Sequence, residues 1–388
     1  MSPDEEDGPR RRPGPGRRRG PAGGLRFHPF RGTRVRTGPR HGGAVRPDGA
    51  DAFYVLEQRR DGVLLQRGVI GALDLAGPWH GVLPHEDVLP AGVDLHHRIT
   101  RLTGGCAEPV LLSHRGGPEA AAALASTAAG PADWEAIGED GTVHRYWACT
   151  DPEHRAAIRA GTAGRTALLA DGHHRFAAAQ RYRGAFGGQP GPWDRVLALL
   201  VDSVRHPLRL TAIDRLVPGL DPVRAAAEAA RVAQVAELPA PPRRPVPGEL
   251  VLAGAGRCWS ITAPRSDAVR SALAGRPAAW RSIDVAVAHH LFLTRVWRTP
   301  VTGDRVRHLH AGDGAAPPPP GGGSLLLVPP PAEESVWRLA EAGVRMPAKS
   351  TSFGPKPLPR QVVYRFAAQR ARPAQPARPR APGVRAGA

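Results

Sequence analysis

The sequence predicts a mixed α/β fold whose sheet core is flanked by two basic tails, and three observations lead there. Short apolar runs bounded by Gly, Asp and Pro recur over residues 51–113. A strand-like apolar run, an Asp-Gly turn, an alanine-rich segment and a second apolar run follow one another between residues 166 and 202. Both chain ends are rich in Pro, Gly and Arg and poor in large apolar residues, a composition that cannot bury enough surface to offset chain entropy. The strand-turn-helix-strand order in the middle is that of an α/β core.

Element by element, "AFYVLEQRR", "VLLQRGVIGAL" and "PVLLSH" read as strands because they are short, apolar or alternating, and closed by turn residues. Residues 118–127 and 151–163 read as helices, the second opening on Asp151-Pro152, a cap followed by a first-turn proline. "TALLA" is a buried strand, "RFAAAQRYR" a helix and "RVLALLVD" another buried strand. Further on, "PVRAAAEAARVAQVAEL" (residues 222–238) reads as one long helix. "LVLAGAGRCWSITAP" reads as a hairpin, "SIDVAVAHHLFLTRVW" as a buried helix, "LLLVPPP" as a strand and "AEESVWRLAEAG" as a helix. "GAAPPPPGGGS" (314–324) is a linker by composition.

The organisation expected is a basic tail over 1–24, an N-terminal α/β domain over 25–216, a C-terminal α/β region over 217–367, and a second basic tail over 368–388. No apolar window is long enough to span a membrane and no apolar stretch follows the N-terminal arginines, so a cytoplasmic location is expected. Cys106, Cys149 and Cys258 are scattered and odd in number, which argues against a disulfide framework or a structural zinc site. The formal charge of +18 invites nucleic-acid binding. Yet residues 1–46 alone carry twelve Arg against four acids, and residues 369–388 carry five Arg and none, which leaves +5 for everything between. The tails can contact nucleic acid nonspecifically; they say little about the folded part.

The stretch with the most chemistry is "ADGHHR". Asp171-Gly172 turns a buried strand into a helix, so the following residues lie at a helix N-terminus, where free N–H groups and the helix dipole favour an anion. Gly172 admits a close ligand, His173 and His174 can donate, and Arg175 can make a bidentate contact to phosphate or carboxylate. The plain alternative is a capped, solvated basic turn. Walker-type and G-x-G-x-x-G loops are both absent. "GVLPHEDVLP" adds His85, Glu86 and Asp87, residues suited to a general base or a magnesium ligand, or to a solvated acidic turn. "DLHHRITRLTGG" offers Asp94, His97 and Arg98 at helical spacing, whereas His289 and His290 inside an apolar run read as core histidines. The chain holds 53 basic residues, of which only Lys349 and Lys356 are lysine, and both fall in "MPAKSTSFGPK". An ammonium is a compact point charge and a guanidinium a wide fork, so a tight anion pocket can demand lysine there.

Five strings in order, "HPFRGTR", "GVLPHEDVLP", "LLADGHHRFAAAQRYR", "LVDSVRHPLRLTAIDRL" and "AGVRMPAKSTSFGPK", resemble the uncharacterised prokaryotic family known as domain of unknown function 1015 over roughly residues 25–366. Where members usually carry a Pro-Pro-Tyr-Asp-Val segment, this chain has "VRTGPRHGGAVRPDGADAFYV". The Asp-Gly-His-His-Arg string is similar to the phosphate-gripping motif of the ParB and sulfiredoxin superfamily, which includes free serine kinases. The resemblance implies a ParB/sulfiredoxin-like element carrying that string, in which Gly172, His173, His174 and Arg175 hold nucleotide phosphates and Glu86 is the base. Asp171 and His85 join the catalytic set, and Lys349, Ser350 and Thr351 meet the transferred group or substrate.

The function expected is therefore a nucleotide-dependent phosphotransferase, using ATP or ADP with Mg²⁺ on a small hydroxylated metabolite such as a serine-like one. No protein metal ligands are assigned in this reading. A non-catalytic nucleotide- or nucleic-acid-binding regulator and a metal-dependent hydrolase built on Asp171, His173 and His85 are the alternatives.

Overall fold

The computed structural model describes residues 24–35, 45–47, 49–75, 81–239, 243–299, 301, 305–310 and 322–369. Apart from Gly24, Ala368 and Gln369, both basic tails lie outside the described residues, as do most of the Pro/Gly linker and residues 36–44 of the stretch that replaces the Pro-Pro-Tyr-Asp-Val segment.

The chain opens with β1 (Phe27–His28), β2 (Thr33–Val35), β3 (Val45–Pro47), β4 (Phe53–Arg60), β5 (Val63–Asp74) and β6 (Val82–Pro84). Then come α1 (Pro90–Thr103), β7 (Gly105–Cys106), β8 (Val110–His114), α2 (Pro118–Thr127), β9 (Trp134–Ile137), β10 (Val143–Cys149) and α3 (Pro152–Thr162). β11 (Ala167–Asp171), α4 (His173–Gly184) and β12 (Arg195–Asp202) complete the first half. Among the described residues, nine strands form one mixed sheet in the order β6-β11-β8-β12-β5-β4-β10-β9, with β1 paired to β5. β11 runs parallel to β6 and antiparallel to β8, and β12 runs parallel to β8. Its central strands are buried on both faces, which is why "ALLA" and "VLALLV" are continuous apolar runs and not alternating ones.

The second half contributes β13 (Arg209–Thr211), β14 (Ile213–Pro218), α5 (Pro222–Ala229), β15 (Gln234–Leu238), β16 (Glu249–Gly254) and β17 (Arg257–Thr262). α6 (Ser266–Ala272), α7 (Asp284–Val287), β18 (Arg307–His310), β19 (Gly323–Leu327), α8 (Glu333–Glu341), β20 (Ser352–Gly354) and β21 (Tyr364–Arg365) follow. A six-stranded sheet runs β15-β17-β16-β19-β14-β18. The mixed α/β class expected from the sequence is the class observed.

Two elements differ from the expected ones. The helix expected over 222–238 stops at Ala229, and Gln234–Leu238 instead pairs antiparallel with β17. Alanines sustain the first two turns behind the Asp221 cap, whose side chain accepts from the Arg224 N–H at 2.7 Å. Past Val232, the β16–β17 hairpin offers an open edge, and pairing with it outweighs helix propensity. The buried helix expected over 282–297 begins as α7 but widens into a π-helix over Ala288–Val296, in which Trp297 N–H reaches the Phe292 carbonyl five residues back at 2.8 Å.

The C-terminal stretch does not stay with the second sheet. Residue 346 bridges to Glu86 beside the first sheet, β20 pairs with β13, and β21 pairs with β7. Met346 donates to the His85 carbonyl at 2.7 Å and accepts from the Asp87 N–H at 3.0 Å. The segment that carries both lysines is thereby laid against the motif strands of the first half.

Candidate functional site

At the C-terminal end of β11 the chain must turn sharply into α4, and Gly172 does so at φ 91°, ψ 27°, a left-handed conformation that glycine adopts without a Cβ clash. A Cβ there would lie 2.9 Å from the Arg175 guanidinium and 3.0 Å from a Val110 methyl. The turn sets Asp171, the first turn of α4 and Arg175 around one cavity. That cavity, about 200 Å³, is lined by Glu86, His96, Glu108, residues 170–175, Ile213, His310, Lys349, Thr351 and Lys356. The structure thus brings Glu86, Asp171, Gly172, His173, His174, Arg175, Lys349 and Thr351 together, and both lysines of the chain line the cavity. Asp87 is not in that lining, and Asp94 and His97 serve helix packing: Asp94 pairs with Arg181 of α4 and His97 meets the Tyr182 ring at 5.9 Å. His289 is a core histidine as expected, accepting from Arg215 Nε at 2.9 Å.

Charge in the cavity is arranged unequally. Arg175 is held between two carboxylates, Asp171 at 2.5 Å and Glu108. Lys356 Nζ sits 2.8 Å from Asp171. Burial alone would raise the Asp171 pKa, but Lys356 and Arg175 outweigh it and hold the carboxyl below its ordinary value. Lys349, half-buried, has no hydrogen bond or ion pair to its ammonium among the described residues. Its charge nonetheless reaches across the cavity. Burial lowers the pKa of His96, His173, His174, His308 and His310, and the Lys349 ammonium lowers each further.

Those histidines are therefore neutral donors and acceptors at pH 7 and add no positive charge. His85, fully buried, is pushed down to about 4 by burial, against the opposing pull of the Leu169 backbone and Asp171. It shares a hydrogen bond of 2.7 Å with the Thr351 hydroxyl and stacks edge-on with His173, ring centroids 4.5 Å apart. His174 Nε2 accepts the Leu89 N–H at 2.9 Å, so the neutral ring carries its proton on Nδ1. His173 is 7 % exposed, lines the cavity, and its Nε2 has no hydrogen-bond partner. A buried polar nitrogen left unpaired is costly unless a ligand completes it.

Glu86 is the fixed point of the opposite wall. Its Oε1 accepts the Lys349 N–H at 2.7 Å, and its Oε2 accepts the N–H groups of Ser350 and Thr351 at 3.0 and 3.2 Å and the Thr351 hydroxyl at 3.2 Å. Burial pushes its pKa up, and the three backbone donors pull it back in part. Behind it, fully buried Arg215 donates from Nη2 to the Lys349 carbonyl at 2.7 Å. Ser350 is buried, with its hydroxyl donating to the Pro347 carbonyl at 2.5 Å, so it supports the turn and does not line the cavity. Gln58 and Gln66 donate to the carbonyls of Lys356 and Pro355 at 2.9 and 3.0 Å, which fastens the second lysine's backbone to the first sheet.

Sequence reasoning missed Glu108, His96, Arg215 and His310. Glu108 and His310 carry no local signal. His96 is one step along α1 from His97, and only the helix's rotation decides which of them meets the cavity.

Among the described residues no three His, Cys, Asp or Glu side chains are grouped to hold a metal ion. The trio Asp171, His173 and His85 accordingly does not form a protein metal site: Asp171 is engaged by Lys356 and Arg175, and His85 by Thr351. Among the described residues no helix is long and apolar enough to cross a membrane.

These features define a mixed α/β protein with a cation-walled, histidine-lined cavity between its two sheets. The chain belongs to the family described as protein of unknown function DUF1015, whose model matches residues 40–286. No curated protein sequence matches it. Among solved structures, it is similar to SbnI with C-terminal truncation from Staphylococcus aureus at 10 % identity and TM-score 0.39, over 76 % of this chain and 86 % of that one. It is also similar to a mutant free serine kinase in complex with ADP, at 14 % identity and TM-score 0.37 over 71 % and 84 %. A conserved hypothetical protein from Pyrococcus furiosus gives 13 % identity and TM-score 0.36 over 74 % and 94 %.

Proposed function

We propose that the protein is a nucleotide-dependent phosphotransferase acting on a small hydroxylated metabolite, with the Asp171–Arg175 turn as its phosphate grip. The observation that carries this reading is the unpaired Lys349 ammonium facing the left-handed turn and the free N–H groups of α4 across one 200 Å³ cavity. Phosphoryl transfer asks the protein mainly for positioning and charge stabilisation. Lys349, the His174 Nδ1–H, the His173 Nε2 and the first N–H groups of α4 supply donors for phosphate oxygens, and Arg175 can exchange Glu108 for phosphate without leaving Asp171. Mg²⁺, brought on the nucleotide, would neutralise charge between the phosphate oxygens.

In the transfer step the substrate hydroxyl oxygen forms a bond to the terminal phosphorus while the bridging P–O bond breaks and its electrons stay with the shortened nucleotide. The hydroxyl proton needs an acceptor. Glu86 Oε1 takes one hydrogen bond and keeps a free lone pair, and burial raises the basicity of its carboxylate. Glu86 therefore has two tasks in this reading: it holds the 349–351 turn and accepts the proton. A relation of this turn to the ParB and sulfiredoxin motif fits the same arrangement.

The test is a thermal-shift screen of ATP, ADP and AMP with and without Mg²⁺, followed by ³¹P NMR of the stabilising nucleotide with serine and other hydroxy acids. Stabilisation by a nucleotide and a new phosphomonoester resonance are expected. Stabilisation by none of them would overturn the reading.

A further inference from the structure

The 200 Å³ cavity is below the roughly 300–1,000 Å³ of sites that enclose whole drug-sized ligands. It can take a phosphate chain and the end of a small substrate. It does not hold a nucleoside as well. Beside it lies a second cavity of about 340 Å³, and the two share His96, Glu108 and Arg175 as a common wall. Beyond that wall the lining changes character, with Ile99, Cys106, Ala107, Val196 and Pro359 in place of lysines and carboxylates.

Resting on the nucleotide reading above, we propose that this adjoining cavity is the nucleoside compartment, and that the ligand lies across the Arg175–Glu108 pair with its phosphates on the Lys349 side and its base on the Ile99 side. Three further observations support it. Ile99 is 43 % exposed on α1, an apolar side chain without cover that faces this cavity. Arg360 is exposed at the rim, and its backbone N–H is tied to the Ala107 carbonyl at 2.7 Å, so its planar guanidinium stands where it can cover a ring face. Cys106, held neutral by burial that pushes its thiol up to about 11, gives the cavity floor a soft, uncharged surface.

The experiment is calorimetric titration of the full chain with ADP and, separately, with inorganic pyrophosphate, for the natural protein, Ala107→Trp and Arg360→Ala. The indole fills the apolar cavity and leaves the phosphate cavity open. ADP affinity is expected to fall by at least about tenfold in Ala107→Trp and less in Arg360→Ala, with pyrophosphate affinity unchanged in both. ADP bound equally well by the natural protein and both variants would overturn the proposal. Pyrophosphate bound by the natural protein without ADP would overturn it too, and would leave the phosphate grip standing; binding of neither would remove both. Ile99→Trp, on the exposed face of α1, replaces Ala107→Trp if that variant does not fold.

Discussion

Lys349 sits at φ 63°, a left-handed conformation that costs a residue with a Cβ on the order of 1–3 kcal/mol. It stays there because both sides of its peptide unit are held: its N–H goes to Glu86 and its carbonyl takes the Arg215 guanidinium, each at 2.7 Å. Hydrogen bonds to charged groups contribute about 1.5–3 kcal/mol each, so the pair outweighs the strain. Glu86→Gln keeps the shape of the side chain but sets an amide NH₂ against backbone donors. A loss of about 2–4 kcal/mol in urea unfolding is expected, since a carboxylate that accepts four hydrogen bonds is replaced by a group that can accept fewer. A merely catalytic carboxylate would leave the unfolding midpoint where it was.

At the scale of elements, the site depends on the β11–α4 junction more than on either element alone. Gly172→Ala places a methyl in a left-handed turn, 2.9 Å from the Arg175 guanidinium. The expected cost is about 1–2 kcal/mol of stability, read by chemical denaturation, together with weakened anion binding as Arg175 is displaced. An unaltered midpoint and affinity would show that the turn tolerates a side chain. The junction was legible in the sequence because Asp-Gly between an apolar run and an alanine-rich run admits few structures. The β15 strand was not: Val232, Val235 and Leu238 follow an alanine-rich helix in register with it, and only the open edge of β17 decides between the two. The same holds for Glu108 and Arg215, whose roles come from partners far away in the chain.

Considered as a whole molecule, the cavity is built from separated stretches, around Glu86, Glu108, Asp171, Ile213, His310 and Lys349, and the last three return from the second half of the chain. The two lysines marked that return in the sequence, since a chain that otherwise uses arginine keeps an ammonium where space is limited. The weight of individual residues was not legible. The local string "DGHHR" gives the lead to Arg175, whereas the folded protein largely neutralises Arg175 between Asp171 and Glu108 and leaves the Lys349 ammonium in the cavity unpaired among the described residues.

The most direct test of an anion site at this junction is calorimetric titration of pyrophosphate into the full chain and into Lys349→Met. Methionine matches the lysine side chain as far as Cε, and the ammonium it removes makes no hydrogen bond among the described residues, so the unfolding midpoint should be unchanged. Binding by the natural protein and a loss of at least about tenfold in the variant is the expected result; equal affinity in both would contradict the assignment of the site.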